Sequence, residues 1–282
     1  MSPCEFRFTQ LDVFTDRALL GNPLAVVHGA DSLSDEQMAA FARWTNLSET
    51  TFLLAPTDPG ADYRVRIFTP TVELPFAGHP TLGSCHAWLA AGGSSRTAGE
   101  VVQQCGVGRV RIRRDGTRLA FAAPPRRRSG PLDEAVVERI ARFLQVPRAA
   151  IVAHQHCDNG PGWQAVMLAS AASVLALRPQ LGSESGLEIG VVGAHDAGAQ
   201  PAFEVRAFFP APGGGLAEDP VTGSLNAALA QWLIGDGLAP SSYIAAQGAA
   251  LGRAGRVHVA QQGDDIWIGG DSIAVVQGSV TL

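Results

Sequence analysis

Three residues of this 282-residue chain combine acid–base capacity with telling positions: Glu49, His79 and Asp219. Glu49 lies in Asn46-Leu47-Ser48-Glu49-Thr50-Thr51-Phe52, just ahead of an apolar strand pattern. A carboxylate beside a hydrophobic strand, at the mouth of a cleft, can have a raised pKa and act as a base. His79 can serve as acid or base near neutral pH, and Asp219 can do so where a dry site raises its pKa. The ordinary alternatives are a solvated turn carboxylate for Glu49, a surface histidine for His79 and a helix cap for Asp219.

His79 and Asp219 each precede a proline and a run of small residues, Gly78-His79-Pro80-Thr81-Leu82-Gly83-Ser84 and Asp219-Pro220-Val221-Thr222-Gly223-Ser224. Where such runs open helices, unpaired N–H groups and a partial positive charge favour carboxylates and phosphates, and small side chains let the ligand approach. Gly78, Thr81, Gly83, Ser84, Thr222, Gly223 and Ser224 are therefore candidate substrate-binding residues for a small anion.

The two runs belong to an internal repeat. Shifted by 140, residues 65–89 match residues 205–229 at ten of 25 positions, including Val65, Arg66, Phe68, Pro70, Pro80, Gly83 and Ser84. Matches of Arg, Phe, Pro and Ser in one register exceed what shared composition gives. Each copy reads as a strand (62–68; 203–209), a Pro/Gly loop and an amphipathic helix (about 80–91; about 220–234). His79 and Asp219 fall at the expected N-caps. Asp caps well and His poorly, so His79 is expected to be there for chemistry. The simplest arrangement is two related halves facing each other across a cleft.

Helices are also expected over 34–44, where Ser34 and Gln37 form a capping box, and over 133–144. Strand patterns cover 6–13, 24–27, 51–54, 109–113, 164–168, 256–260 and 266–268. The fold class is α+β. Residues 1–122 and 132–269 form the halves, 123–131 (Pro-rich, with Arg126 to Arg128) the linker, and a strand at about 270–282 is able to complete the first half.

Composition removes several classes. All 21 basic residues are Arg, so this chain offers neither a Schiff-base Lys for pyridoxal phosphate nor a P-loop Lys. The net charge of −5 argues against nucleic acid and membrane surfaces as partners. No apolar stretch approaches the roughly 18 residues that span a bilayer. The polar start, Met1 to Gln10, lacks a signal-peptide core, so a cytoplasmic location is expected. Cys4, Cys85, Cys105 and Cys157 form no C-x-x-C pair, and His154 and His156 lack a complete ligand set, so no metal is expected. There is no G-x-S-x-G or strand-following G-x-G-x-x-G, and no nucleotide cofactor is expected.

Six motifs in order, Leu11 to Thr15, Gly21 to Val27, Asn46 to Thr50, Arg66 to Pro70, Glu73 to Pro80 and Glu218 to Ser224, make nearly the whole chain resemble the PhzF-like family of phenazine-biosynthesis isomerases. The resemblance implies a diaminopimelate-epimerase-like fold, each half a β-barrel-like sheet around a central helix, and a homodimer. It implies a cofactor-independent isomerase similar to trans-2,3-dihydro-3-hydroxyanthranilate isomerase. Glu49 would move the proton, His79 and Asp219 would flank it, and Ser224 with the helix-end N–H groups would hold the substrate carboxylate. Diaminopimelate epimerase carries a catalytic Cys in each half; the equivalent loops here have none. Leu225-Asn226 departs from the family pattern, which bears on the substrate. Two other readings fit the same residues: an amino-acid-type racemase or epimerase using Glu49 and Asp219 from opposite faces, and a non-catalytic small-molecule binding protein.

Overall fold

The structure, a computed structural model, describes residues 4–180, 186–211 and 214–282. The first three residues of the polar N-terminal segment lie outside it. The chain forms two compact units, Met1–Ala122 with Gly269–Leu282, and Ala123–Ile268.

In the first unit, Glu5–Val13 pairs antiparallel with Ser272–Thr281 on one side and Asn22–Val27 on the other. Asn22–Val27 runs parallel to Glu49–Leu54, which pairs antiparallel with Tyr63–Phe68. Tyr63–Phe68 takes the short strand Glu73–Leu74 antiparallel and Glu100–Cys105 parallel, and Gly108–Asp115 and Arg118–Ala122 complete the sheet. Helix α1 (Asp35–Thr45) starts with the expected capping box between Ser34 and Gln37 and buries Met38, Phe41 and Ala42. Helix α2 (Gly78–Ala90) has no charged residue and nine buried positions, the signature of a helix enclosed on all sides. It touches strands 5–13, 22–27, 49–54, 100–105, 118–122 and 272–281, so the sheet wraps around it.

The second unit repeats this plan. Gln164–Leu168 pairs antiparallel with Ile151–His156 and parallel with Ile189–Ala194, which pairs antiparallel with Phe203–Pro210. Phe203–Pro210 takes Leu216–Asp219 antiparallel and Ser242–Gln247 parallel, and Gly255–Gln262 follows antiparallel. Two helices, α3 (Glu134–Leu144) and α4 (Ala171–Ala176), contribute Val137, Ile140, Phe143 and Val174 to one core layer. The central helix α5 (Gly223–Gly235), again without a charged residue, buries nine positions, among them Leu225, Leu229 and Trp232. Strand Asp265–Gly270 returns the chain to the first unit.

The helix starts differ from the sequence expectation. His79 is not an N-cap: Ala77 is, α2 begins at Gly78, and the Thr81 N–H reaches the Ala77 carbonyl at 3.2 Å. Pro80 fits inside the first turn because N–H groups there have no intrahelical partner to lose. Asp219 is not an N-cap either. It ends strand Leu216–Asp219, and α5 starts only at Gly223, with Thr222 as N-cap and the Asn226 N–H bonded to the Thr222 carbonyl at 3.1 Å. Side-chain hydrogen bonds, described below, hold residues 219–222 out of the helix.

Candidate active site

Glu49 opens strand Glu49–Leu54, directly after the loop that follows α1. The strand's alternation puts Glu49 and Thr51 on one face. That face looks at α2: the Ser84 hydroxyl donates to Thr51 Oγ1 at 2.9 Å. Nearer the helix start, Glu49 Oε2 lies 3.4 Å from His79 Nε2, with the two side chains 15% and 5% exposed. On the other side of the imidazole, Asn22 Nδ2 is 3.3 Å from Nδ1. Burial lowers the His79 pKa to about 3, against a smaller opposing effect from a backbone hydrogen bond at Pro23. His79 is therefore neutral near pH 7, and the pair is a carboxyl group beside a neutral imidazole rather than an ion pair. A neutral imidazole has one N–H and one lone pair. It can support a carboxylate by donating, or a carboxylic acid by accepting.

The remaining candidates near α2 divide by what they touch. Thr81 is fully buried and its hydroxyl accepts from Gln103 Nε2 at 3.0 Å, Gln103 in turn accepting from the Tyr63 hydroxyl at 2.8 Å. A Cβ on Gly83 would sit 2.6 to 2.9 Å from Leu24, Leu11 and Val13, so glycine lets the helix lie close against its sheet. Ser84 is fully buried with its hydroxyl committed to Thr51. Gly78 is buried in the first turn of α2, where no side chain caps the N–H groups.

In the second unit a polar cluster holds residues 219–222 open. Thr222 Oγ1 donates to Asp219 Oδ2 at 2.5 Å. Gln247, almost fully buried, accepts from the Thr222 N–H at 3.0 Å and donates to the Asp219 carbonyl at 3.1 Å and to Thr222 Oγ1 at 2.9 Å. Asn226 Nδ2 joins the Thr222 carbonyl and Gln247 Oε1, both at 2.9 Å. Asn226 thus completes this clamp. Gly223 opens α5 without a side-chain cap. Ser224 follows it, its hydroxyl accepting from Trp163 Nε1 at 3.0 Å and its carbonyl from Asn159 Nδ2 at 2.8 Å.

The structure thus brings Glu49 and His79 together, and Asp219 with Thr222. Reading the residues alone missed Asn22 and Gln247. Asn22 stood inside the Gly21 to Val27 motif and offered a signal; Gln247, far along the chain, offered none. Also missed was Glu188, a carboxyl group that burial, and then the charge of Asp219, raise to about 8.

Thiol chemistry finds no support: burial pushes the Cys85 and Cys157 thiols up to about 12, so neither is a thiolate near neutral pH. His154 Nδ1 accepts from the Leu132 N–H at 3.0 Å. No cluster of three or more metal-ligating side chains occurs among the described residues. A cavity of about 580 Å³ borders Arg178, Arg206 and Glu218, but Arg206 and Glu218 already satisfy each other there.

The family model described as phenazine biosynthesis-like protein matches residues 11–278. This chain belongs to that family. Among its relatives, trans-2,3-dihydro-3-hydroxyanthranilate isomerase of Pseudomonas aeruginosa is 32% identical over 287 residues, covering 98% of this chain and 99% of that protein. Antisense-enhancing sequence 1 of Schizosaccharomyces pombe is 36% identical over 264 residues, 88% of each chain. A crystal structure of a PhzF-family protein from Enterococcus faecalis superposes with a TM-score of 0.81 at 22% identity, covering 99% of this chain and 100% of that one. The chain is accordingly a PhzF-family isomerase with the diaminopimelate-epimerase-like fold. No helix among its described residues is long and apolar enough to cross a membrane.

Proposed function

We propose that this isomerase shifts a proton within a small carboxylated substrate, with Glu49 as the group that takes and returns it. The observation that carries this reading is the Glu49–His79 pair: a half-buried carboxyl group 3.4 Å from a buried imidazole that burial keeps neutral. Proton transfer inside one bound molecule needs a positioned base more than a cofactor. When Glu49 is ionised, His79 can support it by donating from Nε2 while Nδ1 accepts from Asn22 Nδ2. Asn22 holds the ring from its far side. Uncapped N–H groups stand at the start of α2, at Gly78, and at the start of α5, around Gly223 and Ser224, and a helix start of this kind suits a carboxylate. The side chains of Thr81 and Ser84 are engaged in the interior, so their part is to fix α2. Asp219 serves the substrate's polar groups, with Thr222 fixing its rotamer.

The compound to try first is trans-2,3-dihydro-3-hydroxyanthranilate, the substrate in the name of the Pseudomonas aeruginosa relative. The measurement is isomerisation in deuterated solvent, following both product and exchange of the substrate C–H. Glu49→Gln keeps the shape and removes the basicity, so turnover should fall by about 10² to 10⁴ or more while binding persists. Glu49→Asp should lie between the two, and His79→Asn should weaken binding and turnover together. Isomerisation by Glu49→Gln at near the parent rate would refute the role. A bound substrate analogue that touches Glu49 but not Asp219 would remove Asp219 from the site.

The racemase alternative requires inversion at a single carbon with solvent deuterium incorporated there. The loops at 77–79 and 218–220 carry no Cys, so the version to test in the same experiment is a carboxyl-based one.

A further inference from the structure

Ser84 and Ser224 hold equivalent positions in the 140-residue repeat and use their hydroxyls in opposite ways. Ser84 lies well inside α2, fully buried, and donates to Thr51 Oγ1 at 2.9 Å. Ser224 is the second residue of α5 and is half-buried. Its oxygen accepts from Trp163 Nε1 at 3.0 Å. An indole N–H can only donate, so this contact takes a lone pair of the hydroxyl and leaves its hydrogen to be satisfied. Among the described residues nothing accepts that hydrogen; the other side-chain contact at Ser224, from Asn159, goes to its carbonyl. Ser224 thus offers a hydroxyl donor in the first turn of a helix.

Trp163 ends a hairpin loop that is fixed from within. Strands Ile151–His156 and Gln164–Leu168 pair antiparallel, with His156 opposite Gln164. Between them the Cys157 N–H donates to the Trp163 carbonyl at 2.8 Å and closes the loop. Inside it Asp158 Oδ1 accepts from the Gly160 N–H at 2.8 Å and the Gly162 N–H at 3.0 Å. Both glycines have positive φ, 145° and 92°, which other residues rarely adopt. Held this way, the loop presents two buried side chains to one residue: Trp163 to the Ser224 hydroxyl, and Asn159 Nδ2 to the Ser224 carbonyl at 2.8 Å. In the first unit the equivalent hairpin joins Glu5–Val13 to Asn22–Val27, and its Asn22 reaches His79, the second residue of α2. Each hairpin therefore serves the second residue of a central helix, one at an imidazole and the other at a hydroxyl.

We propose that Trp163 is a positioning residue for substrate binding: by occupying a lone pair of Ser224 it turns that hydroxyl into a donor for the substrate carboxylate. The inference rests on the reading above, in which the start of α5 meets that carboxylate. A free serine hydroxyl rotates and serves donors and acceptors alike. With the indole on its acceptor side, it rewards a ligand that accepts. A carboxylate is acceptor-only, and hydrogen bonds to a charged acceptor are the stronger kind. The N–H groups of the first helical turn are donors as well, so the site as a whole is built to give hydrogen bonds. Asn159 ties down the Ser224 carbonyl, which keeps the hydroxyl in register with those N–H groups. Neither α5 nor the loop residues 159–163 carry a charge, so the selection comes from donor direction and not from an ion pair.

The test has a kinetic and a binding arm, both on the full chain. With trans-2,3-dihydro-3-hydroxyanthranilate, Ser224→Ala should raise KM about tenfold or more and change kcat less than about twofold, as loss of a hydrogen bond to a charged group predicts. Trp163→Phe keeps an aromatic ring and removes the N–H, and should raise KM about 3- to 10-fold with kcat again kept. In the Ser224→Ala background Trp163→Phe should add nothing to KM, because it acts through that hydroxyl. A tryptophan that only fills the core would add its effect in full, and that result would overturn the proposal. The binding arm needs neither turnover nor a tryptophan variant. In protein with nitrogen-15-labelled indoles, the Trp163 N–H resonance is the one that Ser224→Ala displaces. Benzoate should shift it in the parent protein, and benzamide, its neutral analogue, should shift it far less at equal concentration. Equal responses to the two, or none to benzoate, would overturn the proposal. If Ser224→Ala leaves benzoate binding unchanged, the start of α5 does not hold the carboxylate and the underlying reading fails. If Ser224→Ala weakens benzoate binding and Trp163→Phe does not, the inference alone fails.

Discussion

The starts of α2 and α5 descend from the same sequence pattern and end in different shapes. At α2, Gly78, His79 and Pro80 form the first helical turn; at α5, Asp219 to Thr222 stay unwound and the helix begins at Gly223. The difference traces to where a glutamine lies on the neighbouring parallel strand. In the second unit Gln247 pairs with Val205 and clamps Asp219 and Thr222 through their backbone and hydroxyl groups. In the first unit Gln103 pairs with Tyr63, two positions earlier in the repeat, and reaches Thr81 beyond the first turn instead. By this register Cys105 holds the place of Gln247, and a thiol cannot clamp a peptide in the same way. One side chain's position along a strand decides whether the turn winds into the helix, bringing an imidazole beside Glu49, or stays open to fix a carboxylate.

A second paired feature sharpens the comparison. Arg66 forks onto both Glu73 oxygens at 2.8 and 2.7 Å, and Arg206 onto both Glu218 oxygens at the same distances. Each guanidinium also lies 5.1 Å from a phenylalanine ring, Phe68 or Phe208. Burial separates the two pairs: the Glu73 side chain is 42% exposed and that of Glu218 only 4%. Glu218→Ala should therefore cost about 3–5 kcal/mol, because it strands a buried guanidinium. Glu73→Ala should cost no more than about 1 kcal/mol. Urea denaturation of the two variants checks the contrast, and equal losses would break it.

Gln247→Leu should destabilise by about 1–3 kcal/mol, since it leaves the Thr222 N–H and its neighbours without their partner. It should also lower turnover more than it lowers the melting temperature would suggest, because Asp219 loses its fixed position. Thermal melts and kcat/KM measured on the same preparation separate the two effects. A variant with parent kinetics would show that the clamp serves folding alone.

A smaller effect distinguishes the imidazole side. His79 and His28 are lowered to about 3 and about 4, mainly by burial. Both are neutral in the folded protein where the unfolded chain, with a pKa of about 6.5, already binds protons. Their contribution to stability is complete above pH 6.5 and is lost as pH falls from there toward the folded values, at up to about 1.4 kcal/mol per pH unit for each group. Replacing His79 by Asn should flatten this acid loss in a series of urea midpoints between pH 7 and pH 5 (values chosen to bracket the ordinary histidine range). An unchanged slope would mean that His79 is protonated in the folded protein.

Much of this protein was legible in its sequence. The capping box at Ser34 and Gln37, the amphipathic helix over 133–144, the strand patterns and the internal repeat all arise from local chemistry and periodicity, which a sequence carries directly. Residue types at Glu49, His79 and Asp219 announced acid–base capacity for the same reason. The tertiary structure alone decided the rest. Strands 73–74, 100–105, 118–122, 151–156, 189–194, 216–219 and 242–247 went unread because partners distant in the chain select them, whereas the strand expected at about 270–282 is found at 272–281, paired with residues at the opposite end. The helix starts were misplaced because a proline fixes only its own φ, while the extent of a first turn depends on side chains arriving from another strand. His79 became neutral by burial, a property of packing that no single residue type encodes.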